Sequence, residues 1–123
     1  LTDTVVIQLP VPPSANRIWR IAGTRLTKSG KRAPNVIKSP AYRAWQDEAG
    51  WILRSQRPGH ISGAYDLTIT LPKVRIDPDN AVKGASDILV KHNVIDDDKL
   101  ARRITIERDD AAEAMVVTVR SAA

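Results

Sequence analysis

The chain has 123 residues, 42% hydrophobic and 27% charged, enough apolar content to fold and about the length of one ordinary domain. It contains no cysteine, which excludes disulfide scaffolds, thiolate zinc centres and cysteine nucleophiles, and no apolar run approaches the roughly 18 residues that suggest a membrane helix. Lysine and arginine number 19 against 14 aspartate and glutamate, a net charge of +5, and the opening residues show no basic region followed by an apolar one, so a soluble, unexported, cytoplasmic protein is expected.

In chain order, Val5-Val6-Ile7-Gln8-Leu9 is a short β-branched run stopped by Pro10, Pro12 and Pro13, the pattern of a first strand leading into a rigid loop. Ile18, Trp19, Ile21 and Leu26 suggest a hairpin with its tip near Ala22-Gly23-Thr24, and the polar, basic stretch from Lys28 to Ser39, broken by Gly30 and Pro34, reads as a mobile loop. Ser39 caps a predicted helix from Pro40 to about Arg54, with Trp45, Ala49, Ile52 and Leu53 at helical spacing. Leu67, Ile69 and Leu71 alternate with polar residues as in a half-buried strand, and strand character resumes at Val74-Arg75-Ile76. A second helix is predicted from Pro78-Asp79 to about Lys91, with Val82, Ala85, Ile88 and Leu89 as its apolar stripe. Ile104-Thr105-Ile106 and Met115 to Val119 read as strands joined by a hairpin loop over Asp109 to Ala112. The fold class expected is α/β or α+β, one small domain over residues 1–123 with a mixed sheet and two helices covering one face.

Charge is segregated along this order. Up to residue 43 the basic side chains are Arg17, Arg20, Arg25, Lys28, Lys31, Arg32, Lys38 and Arg43, against Asp3 alone. Asp77, Asp79, Asp87, Asp96, Asp97 and Asp98 then share a window with only Lys83 and Lys91. A basic surface attracts a polyanion, whereas clustered carboxylates repel one unless a divalent cation lies between. The combination suggests a metal-dependent enzyme acting on phosphodiesters. If residues 77–79 are extended, the carboxylates of Asp77 and Asp79 project to one side; Asp96-Asp97-Asp98 supplies a third, and Lys83, one helical turn after Asp79, points at a phosphate. Each piece has a plainer reading: Asp79 as a helix N-cap, Lys83 and Asp87 as a helix-surface ion pair, Asp96 to Asp98 as a solvated turn.

Leu9-Pro10-x-Pro12-Pro13-Ser14-x-Asn16-Arg17, then Asp77-x-Asp79-Asn80-x-x-Lys83-x-x-x-Asp87, then Val94-Ile95-x-Asp97-Asp98 resembles the RusA family of Holliday junction resolvases over nearly the whole chain. The resemblance implies a homodimeric, Mg²⁺-dependent endodeoxyribonuclease, with Mn²⁺ as a substitute, that nicks two strands of a four-way DNA junction symmetrically in recombination and repair. By position it implies Asp77, Asp79 and Asp98 as metal-binding carboxylates and Lys83 as the catalytic lysine, with Asn80, Asp87 and Asp97 in supporting or structural roles. Because three aspartates are consecutive, a one-residue shift would make Asp97 the ligand in place of Asp98; ungapped spacing from Lys83 favours Asp98. DNA contacts by Arg17, Arg20, Arg25, Lys28, Lys31 and Arg32 are inferred from charge alone.

The remaining polar and aromatic residues carry weaker signals. His60 and His92 lack partners at ligand spacing and read as surface or capping residues. Ser14 has no surrounding histidine constellation and is no nucleophile. Trp19, Trp45 and Trp51 fit a core or subunit interface better than base stacking. The competing function is a non-catalytic nucleic-acid-binding module whose carboxylates only cap and solubilise; a related nuclease acting on other branched DNA would carry the same residues.

Overall fold

The computed structural model describes residues 3–13, 19–26 and 28–122, with backbone alone over 19–26 and 32–38. Two sheets are present among them. The larger has four strands in the order β1-β6-β4-β5, with β1 spanning Thr4–Leu9, β4 Tyr65–Leu71, β5 Ala101–Arg108 and β6 Met115–Ser121. The smaller is a pair, β2 (Trp19–Leu26) against β3 (Arg32–Lys38). Helix α1 runs Pro40–Ser55 and α2 runs Pro78–Lys91.

Alternation decides which face of the large sheet is covered. Val5, Ile7 and Leu9 of β1, Leu67, Ile69 and Leu71 of β4, and Met115, Val117 and Val119 of β6 are all buried, while the intervening Thr68, Thr70 and Thr118 are only half-buried, as a period of two requires. Both helices pack on the buried face, contributing Tyr42, Trp45, Ala49 and Leu53 from α1 and Ala81, Ala85, Ile88 and Leu89 from α2 to one core. This is the α+β mixed-sheet domain with two helices that the sequence predicts. β4 and β5 are parallel, and α2 is the crossover between them, as parallel neighbours need.

Helix ends follow their local chemistry. Ser39 Oγ accepts from the Tyr42 amide at 3.2 Å and Pro40 takes the first helical position, where its missing N–H is no loss. Beyond α1, the Gln56 side chain binds both backbone groups of Gln8, donating to its carbonyl at 2.7 Å and accepting from its amide at 2.8 Å. That amide satisfies part of the open edge of β1 and ties the helix end to the sheet.

Four expectations are corrected. The basic stretch from Lys28 to Ser39 is not a loop: Arg32–Lys38 is a strand, and the hairpin turns at Lys28 to Gly30, where Gly30 has φ 81°. Gly23 lies instead within β2, where the register shifts between Ile21 and Thr24, the bulge that a strand glycine often marks. Pro34 is tolerated because each strand of an isolated pair has an unpaired side. Val74 to Ile76 form no strand; the Arg108 guanidinium takes their carbonyls, donating to Val74 O at 3.0 Å and Ile76 O at 2.9 Å. β5 and β6 are not a hairpin, since β4 lies between them. β6 has the alternating buried side chains of an interior strand, whereas Arg102, Arg103, Glu107 and Arg108 suit β5 to the edge.

Candidate active site

α2 organises the acidic residues. Its N-cap is Asp77, extended at φ −64° and ψ 129°, with Pro78 at the first helical position and Asp79 in the first turn. Asp79 is therefore not the cap, and only Asp77 of the three residues is extended, so an extended 77–79 segment does not align the two carboxylates. Asp77 makes no side-chain cap bond; both carboxylates are exposed at a helix N-terminus, where the peptide dipoles favour negative charge.

One turn further on, Lys83 Nζ pairs with Asp87 Oδ2 at 3.7 Å, the i,i+4 contact predicted for those two. Asp87 also accepts a 2.7 Å hydrogen bond from the Tyr42 hydroxyl. Tyr42 holds its proton well above the ordinary phenol range because it is buried and because Asp87 accepts its bond. Asn80 is half-buried beside this row.

The aspartate triplet lies beside the other end of the helix. Asp87, Val90 and Lys91 line a cleft of about 390 Å³ with Gln46 and Asp96, Asp97 and Asp98. Asp97 caps the short 3-10 turn Asp98–Leu100, its Oδ1 accepting from the Lys99 amide at 2.9 Å. That amide, then the Asp98 side chain, hold the Asp97 carboxyl below its usual range. Asp98 is exposed, and the Tyr65 hydroxyl makes a long 3.5 Å contact to its carbonyl; burial followed by Asp98 and Asp97 raises the Tyr65 phenol.

α2 has 14 residues, about 21 Å at roughly 1.5 Å per residue. Asp77 and Asp79 stand at its start and Asp98 beside its last turn. Among the described residues no three His, Cys, Asp or Glu side chains come together as a metal-holding group.

The family model described as Endodeoxyribonuclease RusA matches residues 10–120, a span that includes every one of these carboxylates. The chain belongs to the RusA family. It is thereby a member of a family of endodeoxyribonucleases, which are hydrolases. No curated protein matches the chain. No helix among the described residues is long and apolar enough to cross a membrane.

The donor chemistry of the family's acidic motif fits a hard cation: aspartate oxygens are the ligands Mg²⁺ and Mn²⁺ take, and Mg²⁺ is often held by only one or two carboxylates, with water and substrate phosphate completing the shell. The basic segment, whose DNA contacts are inferred from charge alone, is described only in part. Arg17, with Ser14, lies outside the described residues. Arg20 and Arg25 are on β2 and Arg32 on β3, with backbone alone described, while Lys28 and Lys31 are exposed at the hairpin turn.

Sequence reasoning missed Tyr42 and Gln46 as partners of the acidic cleft. A signal for Tyr42 was available: a tyrosine on the apolar stripe of a helix buries its ring and must find a hydroxyl partner. Trp45 is a core residue whose Nε1 donates to Pro10 O at 3.0 Å. Trp51 is not, being 70% exposed with the Arg54 guanidinium 5.1 Å from its ring centre. His92 caps α2; burial, then Arg54 and Lys91, lower its pKa.

Proposed function

We propose that this protein is a metal-dependent endodeoxyribonuclease that resolves four-way DNA junctions by paired symmetric nicks, acting as a homodimer in DNA recombination and repair. The observation that carries the reading is the family match across residues 10–120, a span that includes Asp77, Asp79, Asn80, Lys83, Asp87, Asp97 and Asp98, the residues on which the resemblance of the sequence rests. Asp77, Asp79 and Asp98 would hold the ion. Asp97 is the weaker candidate because its carboxylate is already engaged by the Lys99 amide. Bound there, Mg²⁺ or Mn²⁺ supplies activation of water and neutralisation of charge at phosphorus. Lys83, steadied by Asp87, contacts the scissile phosphate and offsets the negative charge that develops on its oxygens. The cationic residues Arg17, Arg20, Arg25, Lys28, Lys31 and Arg32 bind the junction arms through their phosphates.

The separation of the carboxylates along α2 bears on why a dimer is needed. A two-fold axis that brings the Asp77–Asp79 end of one protomer's α2 against the Asp98 turn of its partner would complete two equivalent sites, matching a substrate of near two-fold symmetry.

The test is cleavage of an end-labelled four-way junction beside a linear duplex of the same arms, with Mg²⁺, Mn²⁺ or chelator, for wild type and Asp79→Asn. The expected result is symmetric nicking of the junction alone, requiring metal and lost in the variant while DNA binding persists. Junction binding with no nicks in either metal would overturn it in favour of a non-catalytic binding module, and equal cutting of flaps or forks would redirect it to other branched DNA.

A further inference from the structure

His60 lies in the segment between α1 and β4, and both ring nitrogens face acceptors: Nδ1 is 2.6 Å from Asn93 O and Nε2 is 2.8 Å from Asp96 Oδ1. A neutral imidazole has one N–H, so only the doubly protonated ring donates to both. The second Asp96 oxygen accepts from the Gly63 amide at 2.9 Å, and Gly63 has φ 72°, a conformation open to glycine. Between them, the Ile61 amide donates to Val94 O at 2.8 Å, and Ile61 forms a parallel bridge with Ile95. Residues 60–63 thus strap residues 93–96, the segment that runs directly into Asp97 and Asp98.

We propose that His60 and Asp96 are a positioning pair that fixes the turn from which Asp98 reaches the metal. The proposal rests on the reading of Asp98 as a ligand. Val94 and Ile95 are anchored in the core, but Asp96 to Lys99 are exposed, so apolar packing does not hold the turn and polar ties must. Neither residue of the pair needs to touch the ion. Both act through the backbone two residues away, as groups that orient a ligand do, and losing such groups typically weakens metal binding by 10- to 100-fold.

The experiment measures Mn²⁺ binding to the full chain by the electron paramagnetic resonance of the free ion, for wild type, His60→Ala, His60→Lys, Asp96→Asn and Asp98→Asn. His60→Ala and Asp96→Asn should each weaken binding about tenfold, with KM for the junction unchanged and kcat restored by excess metal. His60→Lys, whose ammonium can donate to both acceptors, should recover to within about threefold of wild type. His60→Ala and Asp96→Asn both binding Mn²⁺ like wild type, while Asp98→Asn loses it, would overturn the positioning role alone. Asp98→Asn binding like wild type would overturn the ligand reading and the positioning role with it.

Discussion

The Tyr42 hydroxyl donates a 2.7 Å hydrogen bond to Asp87 across the interface of α1 and α2. Asp87 Oδ2 is also the atom that Lys83 approaches at 3.7 Å, so a fully buried ring of the core fixes a carboxylate, and that carboxylate restrains the lysine one turn away. The arrangement joins packing to chemistry. The sheet fixes α1, α1 fixes Tyr42, and the polar end of Tyr42 sets where Asp87 stands.

Tyr42→Phe removes the donor and leaves the ring in place. Hydrogen bonds to charged groups contribute about 1.5–3 kcal/mol, and the Asp87 side chain is 28% exposed, so water recovers part of the loss. We expect destabilisation of about 1–2 kcal/mol in urea unfolding, together with a lower kcat for nicking and an unchanged KM as Lys83 gains freedom. Unchanged stability would mean that the hydrogen bond is replaced by solvent at no cost.

A composite site makes a distinctive prediction for mixed dimers. On the proposed reading, Asp79→Asn and Asp98→Asn homodimers should each be inactive alone. If each site draws Asp77 and Asp79 from one protomer and Asp98 from the other, the mixed dimer has one site with both substitutions and one with neither. It should therefore nick one strand of the junction. If all three carboxylates act within one chain, the mixed dimer has no intact site and no activity, and a nicking assay on co-expressed, separately tagged chains distinguishes the two.

The His60–Asp96 strap sets a pH window. The Asn93 carbonyl chiefly, with Asp96 adding to it, raises the His60 pKa above 6.5, and the Gly63 amide chiefly, with His60 adding to it, lowers that of Asp96 below 3.8. The raised His60 pKa gives a contribution that is complete below its unfolded value and is lost as pH rises through the folded one; the lowered Asp96 pKa gives one present above its unfolded value and lost as pH falls through the folded one. The strap should therefore be intact over mildly acidic pH and loosen at both sides. An NMR titration of the His60 ring should give a midpoint above 6.5 that falls in Asp96→Asn; a midpoint at or below the ordinary value would contradict the two-acceptor geometry.

Elements whose packing follows from short-range periodicity were legible in the sequence. β1, α1, β4, α2 and β6 fall where alternation, helical spacing, Ser39 and the Pro residues put them. The failures share a cause, since each depends on a partner distant in the chain. Whether Val74 to Ile76 pairs as a strand is decided by Arg108, more than thirty residues on, and β5 and β6 look like a hairpin until β4 is seen between them. The acidic residues stand out in the sequence because they are close along the chain, but that spacing does not tell that α2 sets Asp77 and Asp79 at its start and Asp98 beside its last turn. The His60 contact spans 36 residues to Asp96, and no local pattern announces it.

Two helical glycines separate packing from propensity. Alanine is favoured over glycine within a helix by about 1 kcal/mol, so each glycine needs a reason. A Cβ on Gly50 would lie 2.6 Å from His92 Nε2, the far end of a half-buried side chain that can swing outward. Gly50→Ala should then change stability little, while releasing the ring from burial and moving the His92 pKa up towards 6.5, which NMR titration reads. A Cβ on Gly84 would meet Pro12 Cβ and Cγ and Trp45 Cη2, all at 3.1 Å. A proline ring and an indole tied through Nε1 to Pro10 O have little room to give, and overpacking costs about 1–3 kcal/mol. Gly84→Ala should therefore lose stability by about 1 kcal/mol net after the helix gain, with Gly84→Val worse. If Gly84→Ala instead raises the denaturation midpoint, the contact of α2 with the Pro-rich turn is looser than the geometry indicates.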